Sequence, residues 1–581
     1  MFRLRFRTFL FLQIMFNQSP FNMQKMSHKQ SRLQPAQKTP PKRHENRQET
    51  ILPKKDKSFL RKVTSSEIYG MTFILLLIFC VEVYGEVFRR TAEENFITTD
   101  STAMKFLLDQ PWGWLFWLGR WGLLLFKNKF IGSIFLSAVL TLIVILTDKL
   151  CHVPVKLKGI SIIIPLGILG WAIGQGVNLY HKNEPSLIIL LPCLTLLTIS
   201  IIYIAVHFIF PRKEKGSRKN GTYLNYLFPV TAFALLTGGA LHFGRNDILT
   251  ARMQNRLWQA DWSGMIEDGQ SSKRPTRAIA AYHAIGLVQT GQLLENMFDI
   301  PYDFPDSPVR NTEGQNEYNL FEMDCNFYAG LTNAAYRCGM DHIVMNGPSL
   351  YYLKRMALCA ILNNEENLAD KYLALIGKTP FENDFVEKYK PMVSDRNLVE
   401  ADDELARVLS LTPMESHFEQ QYMQPAFLGY NAGLTRGSNP TLETAIAARL
   451  YSKDLSTCYD LIQSYKQLHN GVLPQPLQQV LTIMAQKNPI IQQAFPDIVN
   501  SQEMTLQSFF TAAKPIIDER AQASAGKSDK EKRRLRDVYN AKMREQLKAD
   551  WLGTYYYYYY CENNDQDQIR PATKNENGGV N

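Results

Sequence analysis

Five strongly apolar runs punctuate the first half of the chain: Tyr69–Val87, Phe130–Thr147, Ile160–Asn178, Leu187–Phe210 and Leu224–Phe243. Each is about 18–24 residues long, the length an α-helix needs at ~1.5 Å per residue to cross ~30 Å of hydrocarbon. No comparable run follows Phe243. From Ile248 to Lys548 the apolar positions recur at helical rather than alternating spacing, in stretches that read as antiparallel helix pairs. Thr276–Gln289 turns at Thr290, Gly291 and Gln292 into Leu293–Phe298. Tyr351–Leu362 passes Asn363 and Asn364 into Glu365–Ile376, and Thr441–Tyr451 passes Ser452 and Lys453 into Leu455–Leu468. Pro474–Gln486 adds a further helix. Ala360, Ala369 and Ala374 are placed for close helix approach, with Tyr372 as a wedge.

The pattern predicts an all-α protein. A bundle of about five transmembrane helices occupies 65–245, and a soluble α-helical domain follows over 246–561. Residues 1–64 read as a disordered basic tail and 562–581 as a disordered end. Charge changes the picture only in the tail. Residues 17–64 hold twelve Lys/Arg against three Asp/Glu, which equals the whole net charge of +9. The basic balance is therefore no sign of a nucleic-acid-binding domain, because the run lacks interleaved aromatics. The mean hydropathy of -0.20 conceals the apolar half. A short apolar run, Thr8–Phe16, mimics a signal peptide without a cleavage site, and Met23 or Met26 is an alternative start.

Positive-inside bias orients the runs. The tail, Lys149, Lys156 and Lys158, and Arg212, Lys213, Lys215, Arg218 and Lys219 belong on the cytoplasmic side. Five crossings then place everything after Gly244 outside. The loop Arg89–Lys129 holds six basic residues of its own and is the weak point of this topology. Trp112, Trp114, Trp117 and Trp121 fall within its segment 111–126, which reads as an interfacial helix. If that segment crosses instead, there are six spans and the domain lies inside.

Candidate chemistry is sparse. No P-loop, HExxH or GxSxG context appears, and nothing points to a metal or cofactor. His283 and His342 read as packing residues. Eight dispersed cysteines form no CxxC; Cys325 and Cys338 are the closest pair, bridgeable only across a turn. Gly170 and Gly174 form a GxxxG, whose ordinary use is close helix packing. Glu82 and Glu86 near the outer end of the first run, with Glu93 and Glu94 just beyond, are the candidate catalytic residues of an alternative reading. Arg90 stands four residues after Glu86, the spacing of a helix-surface ion pair.

The stretches EENFITTDSTAMKFLLDQPWGWL (Glu93–Leu115), TGQLLENMF (Thr290–Phe298), ALCAILNNEENLADKYLALIGKTPF (Ala357–Phe381) and GTYYYYYY (Gly553–Tyr560) carry a resemblance. The chain resembles a family of uncharacterised bacterial multi-span membrane proteins with a tetratricopeptide-like helical domain at the carboxyl end. The resemblance implies a cytoplasmic (inner) membrane protein and supplies no catalytic residues. The combined expectation is a non-enzymatic envelope anchor. Its N-terminus lies inside, and its α-solenoid domain is presented on the periplasmic face to a protein or envelope polymer. The alternative is a membrane-embedded transferase acting on a lipid-linked glycan, with Glu82, Glu86, Glu93 or Glu94 as base or metal ligand.

Overall fold

Thr64 opens the first helix with a capping box: its hydroxyl accepts from the Glu67 amide and Glu67 reaches back to its own amide. Helix α1, Ser65–Ile78, continues through a π-helical turn, Phe79–Val83, and breaks at Tyr84. The break lies within the first apolar run, so that run does not form one straight helix to Val87. Gly85 suits the corner: a Cβ there would sit 2.8 Å from the Cys80 carbonyl and 2.9 Å from Lys129 Cε. The chain then starts α2, Gly85–Glu94. The computed structural model describes residues 64–154, 157–181, 184–209, 223–302, 320–412, 439–455 and 458–562. The basic tail before Thr64, Phe210 and the charged loop after it, Lys156, Lys182 and residues 563–581 lie outside them.

Among the described residues all regular structure is helical. Helix α3, Gly113–Leu123, runs into a 3-10 turn, Leu124–Lys127. Its 11 residues rise only ~17 Å, short of a crossing. Trp112 and Trp114 are exposed, whereas Trp117 and Trp121 pack edge to face at 5.9 Å. Helix α4, Lys129–Leu150, is capped by the Asn128 side chain. The third run becomes a 3-10 turn, Ile160–Ile162, and α5, Ile163–Gln175. It stops at Gly176 (φ +53°), where a Cβ would fall 2.0 Å from the Asp247 carboxylate. Helix α6 is Leu187–Ile209; α7, Leu227–Phe243, bends by 76° into α8, Arg245–Leu257. Three segments are long and apolar enough to cross a membrane: Ser65–Val83, Lys129–Leu150 and Leu187–Ile209. The bent pair α7–α8 allows a fourth, and the turn with α5 is a shorter apolar helix.

These helices run antiparallel, and side chains at their ends identify two opposite sets. At one end Asp148 is buried and accepts from Tyr69 Oη (3.0 Å), Ser161 Oγ (2.5 Å) and the Gly159 amide (2.7 Å), while Lys158 reaches Ser65 Oγ at 2.8 Å. At the other end Glu86 meets Lys129, Tyr84 Oη donates to the Ala172 carbonyl, and Arg120 holds Glu184. Gly119 lets α3 lie against α6: a Cβ there would be 2.6 Å from Leu190 Cγ. Gly170 and Gly174 instead face open space, so the GxxxG packs against no helix of this chain among the described residues.

Beyond α8 the predicted pairs form helices, and further helices lie between them. They include α9 (Trp262–Gln270), α10 (Arg277–Thr290), α11 (Glu322–Tyr328), α12 (Thr332–Asn346), α13 (Leu350–Leu362), α14 (Glu366–Ile376), α15 (Asn383–Tyr389) and α16 (Asp403–Leu411). Gly291 (φ +71°) closes α10 and Asn364 (φ +60°) turns α13 into α14. Ala360 and Ala369 are fully buried there, while Ala374 faces outward. One hydrophobic core runs without interruption from Leu76 in α1 to Val408 in α16. A second core joins residues from Ala280 to Tyr302 to α17 (Asn439–Ser452), α18 (Cys458–Leu468), α19 (Gln475–Ala485), α20 (Pro496–Ser524) and α21 (Asp529–Trp551). Its last member is α22, Tyr555–Cys561. Tyr555, Tyr556, Tyr557 and Tyr558 are buried in it, and the Tyr555 amide donates to Gln479 at 2.6 Å. All eight cysteines are free thiols, Cys325 and Cys338 included.

The glycine contacts give the first prediction. Gly119→Leu overpacks the α3–α6 crossing and costs about 1–3 kcal/mol. Thermal melting of the detergent-solubilised full chain reads this as a lower Tm. Gly170→Ala leaves Tm unchanged or raised, because Ala is the better helix former by about 1 kcal/mol. Equal melting of the two variants contradicts this packing.

Candidate functional site: a buried polar junction and an ion-paired cavity

Helix α2 is amphipathic in an unusual sense: its buried face carries charge. Val87, Phe88, Thr91 and Ala92 are buried, and so are Arg90 and Glu94, one helical turn apart. Arg90 Nη2 meets Glu94 Oε1 at 2.6 Å, and Arg90 Nε donates to Gln254 Oε1 of α8 at 3.1 Å. Its guanidinium lies 3.8 Å over the ring of Tyr351. Tyr180 Oη donates to the same Gln254 oxygen (2.9 Å), and Gln254 Nε2 donates to Tyr282 Oη of α10 (2.8 Å). Tyr282 Oη lies 3.1 Å from Asp324 Oδ2 of α11, which also accepts from Tyr351 Oη of α13. Arg355, fully buried on α13, pairs with Asp324 Oδ1 at 3.1 Å and approaches Glu404 of α16 at 3.9 Å. The Ser349 hydroxyl donates to Glu94.

Seven helices, counting Asn178–His181 that carries Tyr180, thus meet in one desolvated network. Burial pushes the Glu94 carboxyl above the ordinary carboxylate range, against the pull of Arg90. Removing one member of such a pair strands a charge without water, typically at ~3–5 kcal/mol.

Beside this junction, α2 and the turn before α4 form one wall of a cavity of about 550 Å³. Glu93, Leu124, Leu125, Lys127, Asn128 and Ile131 face Lys354, Phe381, Glu382, Asp384 and Phe385. Lys127 Nζ sits 2.9 Å from Glu93 Oε2 and 2.5 Å from Glu382 Oε1, and Lys354 holds the other Glu382 oxygen. Burial alone would push Glu93 up, but Lys127 and Lys354 hold it below the usual range. Lys127 is likewise disfavoured as a cation by burial, yet Glu93 and Glu382 keep it above its ordinary value. Glu93 and Lys127 thus stabilise each other as an ion pair. Lys354 is steadied over Phe385 (5.2 Å) and Trp258 (5.8 Å).

The family model of a family of unknown function, DUF6057, matches residues 159–562. The chain belongs to this family. No curated protein and no solved structure matches it. Of the junction and cavity, the DUF6057 match takes in Gln254, Asp324, Lys354, Arg355 and Glu382 but not Arg90, Glu93, Glu94 or Lys127.

The four glutamates singled out by sequence do not converge. Glu82 is exposed; Glu86 pairs with Lys129 (3.0 Å) and Asn255 (2.9 Å); Glu93 lines the cavity; Glu94 is sealed in the junction. Arg90 pairs with Glu94, not with Glu86 as its spacing suggested, because α2 turns Arg90 inward toward Gln254. Among the described residues no group of three or more His, Cys, Asp or Glu is arranged to hold a metal ion. His283 is fully buried with neither ring nitrogen hydrogen-bonded, and His342 stacks on Tyr352 at 3.7 Å. Sequence reasoning missed Lys127, Lys354, Arg355 and Glu382. One signal was available: Lys354 and Arg355 interrupt the otherwise apolar α13, which points to charges turned into a core.

Arg355→Met costs about 3–5 kcal/mol in unfolding of the full chain, and adding Asp324→Leu recovers part of that loss. Additive losses in the double-mutant cycle contradict the coupling. Burial lowers the pKa of His283 from 6.5 to about 4. The unfolded chain therefore takes up the proton first, and stability falls as pH drops from about 6.5 toward about 4. His283→Leu flattens that part of the Tm profile relative to the parent chain; parallel profiles rule this out.

Proposed function

We propose that the protein is an integral membrane anchor that presents a rigid helical interaction domain on the outer face of a cytoplasmic membrane. The observation that carries this reading is the junction itself. A domain tied to α2 by Arg90, Glu94, Gln254, Asp324 and Arg355 is held in one orientation, which suits a fixed platform better than a tethered module. The antiparallel order of α1, α4, α5, α6 and α7 supports five spans, with the two shorter segments crossing beside neighbours. The ends near Glu86, Lys129, Glu184 and Phe243 then share the side of the domain, and the ends near Thr64, Asp148 and Ser161 share the opposite side. Helix hairpins such as α13–α14 support a tetratricopeptide-like stack that offers a surface to a protein or an envelope polymer.

A second reading draws on Glu93, whose carboxylate faces a cavity beside the first turn of α4. Here the protein is a transferase for a lipid-linked glycan, with Glu93 as base. Glu94, sealed behind Ser349, would serve only to position α2. Glu93→Gln separates the two readings: loss of the cellular phenotype at unchanged Tm favours the transferase.

Topology reporters test the leading reading. An export-dependent enzyme fused near residue 300 is active and one fused near residue 215 is silent, while a cytosol-active reporter gives the reverse. The protein stays in the membrane pellet after alkaline extraction. Activity of the cytosolic reporter at residue 300 would defeat the outer placement.

A further inference from the structure

We infer that the cavity lined by Glu93, Lys127, Lys354, Glu382 and Asp384 binds a zwitterionic head group carrying both a phosphate and a primary ammonium, that of an aminophospholipid. The inference rests on the membrane-spanning reading above.

Position is the first argument. Ile131, 52% exposed, and its neighbour Phe130, 62% exposed, stand on the first turn of α4, where apolar helix surface begins. Ile131 and Leu125 are walls of the cavity, so an acyl chain alongside α4 leads a head group into it. The volume of about 550 Å³ suits a head group and its glycerol, within the roughly 300–1,000 Å³ of small-molecule sites.

Charge is the second. Two ammonium groups and three carboxylates line the space. A purely anionic head group meets the carboxylates of Glu93, Glu382 and Asp384, and a purely cationic one meets Lys127 and Lys354. A phosphate joined to an ammonium by two carbons satisfies both signs. Lys354 uses one carboxylate partner and keeps donors for a phosphate oxygen. Asp384 is exposed and has no ion pair among the described residues, which leaves it for the ammonium.

Phe381 is the third. It is 75% exposed and holds φ at +67°, a conformation that a bulky side chain adopts only at a cost. That backbone turn leaves Phe381 lining the cavity together with Phe385, where an ammonium gains from aromatic faces.

The test is native mass spectrometry of the full chain in detergent, titrated with phosphatidylethanolamine, phosphatidylcholine and phosphatidylglycerol of equal acyl length. One phosphatidylethanolamine is retained about tenfold more tightly than the other two, the scale of one charge-assisted hydrogen bond. Asp384→Asn and Phe381→Gly each lower that retention about tenfold, while Tm stays level or, for Phe381→Gly, rises as the strain is relieved. Equal retention of the three lipids, or wild-type retention in both variants, overturns the site. Displacement by soluble phosphoethanolamine at the same concentration overturns the membrane source. Release from membranes by alkali would strike the parent reading alone, because the binding titration is made in micelles.

Discussion

Charge taken out of water is the constraint on which this architecture depends. Arg90, Glu94, Asp324 and Arg355 are each almost entirely buried, and each charge is balanced by its partner, Arg90 by Glu94 and Arg355 by Asp324. Their partners come from α2, α8, α10, α11, α13, α16 and the short helix Asn178–His181, so the network forms only when all of these helices are in register. Apolar packing surrounds it on every side and permits many near-alternatives. The polar set permits few, since a shifted helix leaves a guanidinium or a carboxylate unpaired in a low-dielectric interior. The register of these helices against one another is therefore fixed by the polar set, within an apolar core.

Corners in the backbone bring these helices together. A first helix continuing straight past Tyr84 would carry Arg90 and Glu94 away from Gln254. The π-helical turn and Gly85 redirect α2 toward α8 and α13, and the 76° bend at Gly244 turns α8 to meet it. Gly176 admits the Asp247 side chain at the end of α5. Each corner falls where an apolar stretch gives way to a charged one, so hydropathy and backbone geometry change together.

Much of the fold was legible because its signals are local. Apolar runs, hairpin turns at Gly291, Asn364 and Lys453, and the amphipathic pairs all lie within a few residues of the elements they specify. The break at Tyr84 was not legible, since nothing in the run from Tyr69 to Val87 announces a π-helical turn. The GxxxG of α5 was legible as a motif but misleading as a contact, because no helix of the chain closes over it among the described residues. The candidate site was legible only in outline. Glu93 and Glu94 stood out as charges after a span, yet Glu94 meets Ser349 and Lys127 meets Glu382, each 255 positions away. Pairings at that distance are made by tertiary packing, and composition near either residue does not encode them.

The tyrosine helix has a consequence for synthesis. Tyr555, Tyr556, Tyr557 and Tyr558 fill the second core between α17, α19 and α20, and Lys453 of the α17 turn reaches the carbonyls of Tyr559 and Glu562. Those earlier helices leave the ribosome with their shared gap still empty. Until the last turn emerges they present an open apolar cleft, a feature that chaperones shield and proteases attack. A chain truncated before Tyr555 leaves that cleft uncovered.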